Sequence, residues 1–294
     1  ALPNRSVAFT SGMTDEFAKM SVGFIGTSLT GSITGEQLSR LGFGRILSID
    51  FDKMEQRNLN RILNSAIADI GRLKVDVFAD AVQRSRGPDV AVAVPAAITA
   101  RDAVLAAGQC DVLFCCVDTL EARYFADLIA TAFLIPLIDV GVVIPTRRTT
   151  FGAAIADVQG RVDYVQPGGS SLGDRGIYTP ESLRAEYLQR VAPDAHRQEI
   201  EAGYIQGLQE EAPAVISLNM RAGSAAVNEF IARAYPFRHD PNSGYARTEF
   251  SLAACEEDYF AESSFSLSAS HLFARGATEP LLGMPALQEP LEVL

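Results

Sequence analysis

No stretch of this sequence approaches the roughly 20 consecutive apolar residues that span a bilayer. Its first residues, ALPNRSVAFTSG, hold no charged stretch followed by an apolar core of the kind a signal peptide needs. A cytoplasmic protein without membrane contact is therefore expected. Basic charge is scarce too, since 25 Lys and Arg against 36 Asp and Glu give a formal net charge of −11. That balance argues against a nucleic-acid or anionic-lipid footprint, which needs clustered cations on one face, while leaving room for local basic pockets. Histidine is rarer still: His196, His239 and His271 are widely spaced, share no metal-ligand pattern and read as surface or capping residues. Of the four cysteines, Cys110, Cys115 and Cys116 crowd one apolar region and Cys255 stands apart. Nothing there resembles a disulfide framework, so their default reading is small buried hydrophobes.

What the chain does have is core material. Its 294 residues are 48% hydrophobic, enough for one large or two modest domains that fold without staples. SVGFIG at 21–26 reads as a strand entering a glycine turn, and Ile33, Leu38 and Leu41 then share one helical face. RILSIDF at 45–51 and VAVAVPAAI at 90–98 read as further strands, with helices over 75–82 and 100–107. DVLFCCVD at 111–118 is nearly continuously apolar, as a strand buried on both faces of a parallel sheet should be. A helix, LEARYFADLIATAFL, and another buried strand, PLIDVGVVI, follow it. Regular alternation of strand and helix predicts an α/β fold with a Rossmann-like, doubly wound, mostly parallel sheet whose ligands sit at the carboxyl ends of the strands.

Beyond Thr149 the pattern changes. FGAAIADVQGRVDYVQP suggests antiparallel strands, PGGSSLGDRGI a loop, and TPESLRAEYLQRVA a capped helix. A second long helix, AVISLNMRAGSAAVNEFIARAY, is rich in small residues, and YARTEFSLA is a strand candidate. From Cys255 to Leu294 the chain is acidic and contains proline, and docking on a partner or partial disorder is expected of it.

Several residues converge on the first strand's carboxyl end. Gly26 and Gly31 flank the turn into the first helix, where bare backbone and a helix N-terminus can take phosphate oxygens; a purely structural turn explains them equally well. Asp50 ends the second strand, the place from which a carboxylate reaches a ribose hydroxyl. Asp52, Asn58, Asn60 and Arg61 crowd the loop that follows, a cluster for which hydride transfer has no evident use but which suits displacement at phosphorus. Lys74, at a helix start after Gly71, reads either as a solvated lysine or as a phosphate ligand. Asp118 closes a buried strand, where it could cap the helix from Thr119 or hold magnesium against a triphosphate. Arg147 and Arg148 read as a solvated strand end, with guidance of an acidic patch on a partner as the other use.

In order and spacing, VGFIGTSLTGS, RLGFGRILSIDFDKMEQRNLNRIL, DIGRLKVDVFA, DVLFCCVDTLEAR and IPLIDVGV resemble the ThiF/MoeB family, the adenylating relatives of ubiquitin-activating enzymes. QPGGSSLGDRGIYTPESLRAEYL and APAVISLNMRAGSAAVNEFIARAYPFR resemble the matching segments of bacterial family members found beside deubiquitinase-like or conjugation proteins. The resemblance covers about residues 20–230. It implies an arm over 1–20, an adenylation domain over 21–235 and an extension over 236–294. It also implies ATP and magnesium, and a small ubiquitin-like or sulfur-carrier protein whose C-terminal carboxylate attacks the α-phosphate, giving an acyl adenylate and pyrophosphate.

Carried over by position, Gly26 and Gly31 form the phosphate turn, with Asp52 beside it. Asp50 binds ribose, Asn58, Arg61 and Lys74 the phosphates, and Asp118 the metal, with Arg61, Lys74 and Asp118 acting in catalysis. Family members commonly dimerise and lend an N-terminal arginine to the partner's site, for which Arg5 is the candidate here. Two departures stand out. The family's loop runs GxGGxGS, but this chain has Ser28 and Leu29 at two of its glycines, where side chains would crowd phosphates. Ser171 and Asp174 stand where relatives often carry a CxxC pair, so no zinc site is expected. No cysteine stands in that loop to form a thioester. Ser171 could form only an ester, and acidic neighbours weaken Cys255 as a nucleophile. Two other readings stay open: a degenerate homologue that binds a ubiquitin-like protein without turnover, and an NAD-dependent dehydrogenase using Gly26, Gly31 and Asp50.

Overall fold

The computed structural model describes residues 11–150, 152–194 and 215–288. Arg5, His196 and the outer parts of the expected arm and tail lie outside them. Ten strands and eight α-helices are present among the described residues. In chain order they are α1 (Ser11–Phe17), β1 (Ser21–Ile25), α2 (Leu29–Leu41), β2 (Arg45–Ile49), α3 (Lys74–Arg86), β3 (Ala91–Val94), α4 (Arg101–Ala107), β4 (Val112–Cys115), α5 (Leu120–Phe133) and β5 (Leu137–Val143). The second half adds β6 (Thr146–Thr149), β7 (Gly152–Ile155), β8 (Gln159–Val165), α6 (Pro180–Val191), α7 (Ile216–Ala234), β9 (Arg247–Ser251), β10 (Glu256–Phe260) and α8 (Pro285–Gln288).

Eight strands form one sheet in the order β10-β9-β8-β5-β4-β1-β2-β3, and β6 and β7 pair separately as a hairpin. β5, β4, β1, β2 and β3 run parallel, while β8, β9 and β10 add antiparallel. The expected Rossmann-like sheet with antiparallel strands in the second half is therefore present. The chain winds outward from β1 to β3 and crosses back to β4 on the other side of β1. That reversal opens a crevice at the carboxyl ends of β1 and β4.

Each central strand feeds both faces. Phe24, Ile46, Phe114 and Ile138 pack on one side with α1, α2, α3 and α7, while Ile25, Leu47, Leu113 and Leu137 pack on the other with α4 and α5. Full burial of such a side chain is worth roughly 1.5–3 kcal/mol, so the three-layer stack holds the strand ends rigidly.

Segments near both ends of the described residues pack on the chain's own core. Within the expected arm, Ser11–Phe17 is helical, and Met13 and Phe17 are buried; Phe17 stacks on Phe43 with ring centroids 5.1 Å apart. The tail docks on its own chain: β10 extends the sheet, and Leu272, Leu282 and Leu287 are buried in the α4/α5 core. β3 is shorter than the apolar run around it because Pro95 ends it.

Candidate functional site

The turn after β1 is the floor of the crevice. Gly26 adopts φ +87°, and a Cβ there would meet the Cys116 carbonyl oxygen at 2.9 Å. Its N–H donates to the Ile49 carbonyl at 2.8 Å, and the Cys116 N–H donates to the Ile25 carbonyl at 2.9 Å, tying the ends of β2 and β4 to β1. At Gly31 a Cβ would lie 1.7 Å from the Gly26 carbonyl oxygen. Only glycine lets α2 start this close to the turn. The N-terminus of α2 thus points into the crevice, and no partner for the N–H groups of Leu29, Thr30 and Gly31 is found among the described residues.

Asp50 faces that turn from the end of β2. Its carboxylate accepts from the Thr27 N–H at 2.7 Å and the Asp52 N–H at 2.8 Å. Burial raises its carboxyl above the ordinary carboxylate range, against the Asp52 N–H, the Lys74 charge and the Thr27 N–H, which pull it down. Beside it Thr27 Oγ1 is buried without a partner among the described residues. An orphaned hydroxyl, an open helix N-terminus and a buried cation are the donor set that a phosphate chain would satisfy.

That cation is Lys74, only 5% exposed at the first position of α3. Its Nζ donates to Asp52 Oδ2 at 2.6 Å and to Ser28 Oγ at 2.9 Å. Of its two sequence readings, the solvated lysine does not hold. The loop from Asp52 to Leu73 closes on itself: Lys53 and Leu73 form a β-bridge, the Lys74 N–H donates to the Asp52 carbonyl, and Met54 and Ile62 pack with Val77 of α3 in a small core. Asn58 is buried there, its Oδ1 accepting from the Glu55 N–H at 2.9 Å, which leaves its NH2 group unengaged among the described residues. Arg61 is half-buried and forms no ion pair among the described residues, and Asn60 is exposed.

Asp118 is exposed just beyond β4. It does not cap α5. Glu186 of α6 does so instead, accepting from the N–H groups of Leu120 and Glu121 at 2.8 Å each. Both departures from the family pattern find a place in the structure. Leu29 is 8% exposed, so its side chain is turned away from solvent, and Ser28 is engaged with Lys74. Ser171 and Asp174 close a turn on each other, with the Ser171 N–H on Asp174 Oδ2 and the Asp174 N–H on Ser171 Oγ. Among the described residues no group of three or more His, Cys, Asp or Glu could hold a metal ion.

Sequence reasoning missed the supports. Asn219 of α7 accepts from the Thr30 hydroxyl at 2.9 Å and so ties the second half to the start of α2. Arg123 of α5 donates to the carbonyls of Val117 and Val140 and to Asp139, fixing the segment that carries Asp118. Asp139 is also bound by Arg161; burial pushes its carboxyl up, but Arg123 and Arg161 outweigh burial and hold it below the ordinary range. Cys255 is exposed in the β9–β10 turn, His239 and His271 are exposed, and Arg147 is exposed on β6.

The ThiF family matches residues 4–229. Ubiquitin-like modifier-activating enzyme 5 of Bombyx mori is 32% identical over 121 residues, covering 37% of this chain and 30% of that protein. tRNA threonylcarbamoyladenosine dehydratase of Bacillus subtilis is 39% identical over 58 residues, covering 20% of this chain and 23% of that protein. Each match thus spans less than a third of the relative's length. Among solved structures, E. coli MccB with ATP superposes with a TM-score of 0.62 at 14% identity, covering 85% of this chain and 66% of that one. At that identity the likeness concerns the fold. Neither alternative reading of the sequence is favoured by these matches. No helix among the described residues is long and apolar enough to cross a membrane.

Proposed function

The chain belongs to the ThiF family, and from that premise we propose that it is an ATP-dependent adenylyltransferase acting on the C-terminal carboxylate of a small ubiquitin-like or sulfur-carrier protein. One observation carries the proposal: a buried lysine, Lys74, held beside the open N-terminus of α2 at the crevice where the sheet reverses. A surface lysine would not be desolvated there. The orphaned Thr27 hydroxyl supplies a further donor at that floor, and the Asn58 amide, unengaged among the described residues, is free to supply another.

In the proposed reaction Asp50 accepts from a ribose hydroxyl, while Lys74, Arg61, the Asn58 amide and the first N–H groups of α2 hold the phosphates. A carboxylate oxygen of the partner's last residue attacks the α-phosphorus. The bond from that phosphorus to its bridging oxygen breaks, and pyrophosphate leaves with the electron pair. The cations neutralise charge that builds on the phosphate oxygens, which is the main task in such a displacement. Asp118, exposed just beyond β4, would hold the magnesium that accompanies a triphosphate, which would supply positive charge against the phosphates. A homodimer, with Arg5 of one copy serving the other, belongs to the same proposal.

The test is ATP–pyrophosphate exchange by the purified chain with candidate small β-grasp proteins ending in glycine. Exchange that depends on such a protein and falls at least 100-fold in Lys74→Ala is expected, about 3 kcal/mol of lost transition-state stabilisation. Absent exchange, or exchange indifferent to Lys74→Ala, would remove the catalytic claim.

A further inference from the structure

Ser28 stands at the N-cap of α2, yet its side chain makes no capping hydrogen bond. A serine at that position ordinarily turns its oxygen onto the second or third N–H of its helix. Here the oxygen accepts from Lys74 Nζ at 2.9 Å. An ammonium has no lone pair, so in this contact the hydroxyl is acceptor only, and its own proton is left without an acceptor among the described residues. Lys74 is gripped from the other side by Asp52, whose side chain is 51% exposed. The first N–H groups of the helix, a hydroxyl proton and a buried ammonium therefore meet at one point.

We infer that Ser28 is a positioning and phosphate-binding residue: its hydroxyl holds Lys74 at the mouth of α2 and donates its own proton to a phosphate oxygen of the bound nucleotide. The inference rests on the adenylation reading and deepens it. It reverses the expectation that a side chain at this family glycine obstructs the site. Steric obstruction and assistance make opposite predictions for the family-like residue. If Ser28 crowds the phosphates, glycine relieves the crowding and tightens binding. If Ser28 is a ligand, glycine removes a charge-assisted hydrogen bond and releases Lys74 toward Asp52, and binding weakens. Leu29 does not confound the comparison, because it is buried in the wild-type chain and unchanged in the variants.

The experiment is calorimetric titration of the full chain and its Ser28→Gly, Ser28→Ala and Ser28→Thr variants with Mg-ATP and, separately, with adenosine. Weakening of ATP binding on the order of tenfold in Ser28→Gly and Ser28→Ala is expected, with adenosine affinity unchanged and most of the ATP affinity kept by Ser28→Thr. An unchanged or tighter ATP affinity in Ser28→Gly overturns the inference while leaving the adenylation reading intact. Equal losses for ATP and adenosine also overturn it, since they signal a displaced helix rather than a lost phosphate contact. Failure of the wild-type chain to bind Mg-ATP at all would overturn both.

Discussion

Asp127 lies on α5 with 2% exposure, and its Oδ2 accepts from the N–H groups of Leu172 and Gly173 and from the Tyr178 hydroxyl at 2.6 Å. One carboxylate oxygen thus pins the loop that leads into α6, while Oδ1 has no partner among the described residues. Burial raises its carboxyl to about 6, against the Tyr178, Gly173 and Leu172 donors. A carboxyl whose folded value exceeds its unfolded value of 3.8 stabilises the fold most when protonated. Its contribution is complete below the unfolded value and declines as pH rises through about 6. Relative to Asp127→Asn, which does not titrate, the wild-type chain should lose about 3 kcal/mol of stability between acid and neutral pH. Urea unfolding of both proteins at pH 4 and pH 7.5 measures it, and a pH-independent difference would show that the carboxylate is adequately solvated by its three donors.

At the scale of elements, α6 is attached rather than embedded: among its residues only Ala185 is buried. Its ties to α5 include Glu186 across two amides and Arg190 on Glu121 at 2.6 Å, an exposed pair worth little. Glu186→Ala should therefore cost about 1–2 kcal/mol, a typical cap loss, and should speed amide exchange at Leu120 and Glu121. Asp118→Ala should do neither; an equal effect at Asp118 would return the capping role to it. Both outcomes are readable by denaturant unfolding and hydrogen exchange. This capping also shows where sequence stops being informative. Strands such as β1, β4 and β5 were legible because burial on both faces leaves an apolar run, and Gly31 because a glycine spacing marks a close approach. Glu186, 66 positions from Leu120, leaves no local trace. β10 was hidden as well, since an edge strand reading EEDYF needs only one covered side. Lys74, Asp50 and Asn58 could be named from motif spacing, but their partners Ser28, Thr27 and Glu55 could not, because a hydrogen bond is a property of the folded path rather than of residue type.

Across the whole molecule, the acidic tail is structural material. Its Gly276 N–H donates to the Ala132 carbonyl at 2.8 Å and its Ala274 N–H to the Thr131 carbonyl at 3.2 Å, so it closes over the end of α5. Arg101 of α4 reaches the carbonyls of Leu287 and Gln288 from the other side. Leu272, Leu282 and Leu287 join Ile129, Ile135 and Leu137 in one cluster. At roughly 1.5–3 kcal/mol for each buried leucine, the three together are worth about 5–9 kcal/mol as an upper estimate, comparable to the net stability of a whole domain. A chain ending at Ser266 should therefore unfold or aggregate at ordinary temperature. Because an aggregated product is a blunt result, Leu282→Ala gives the graded version: a loss of about 2–4 kcal/mol by denaturant unfolding, with the Mg-ATP binding proposed for the crevice at the carboxyl ends of β1 and β4 left unchanged. If the truncated chain instead stayed folded with unchanged stability, the tail's leucines would have to be solvated in solution, and the α4/α5 face would be open to a partner. The burial of all three argues that the chain covers that face with its own tail.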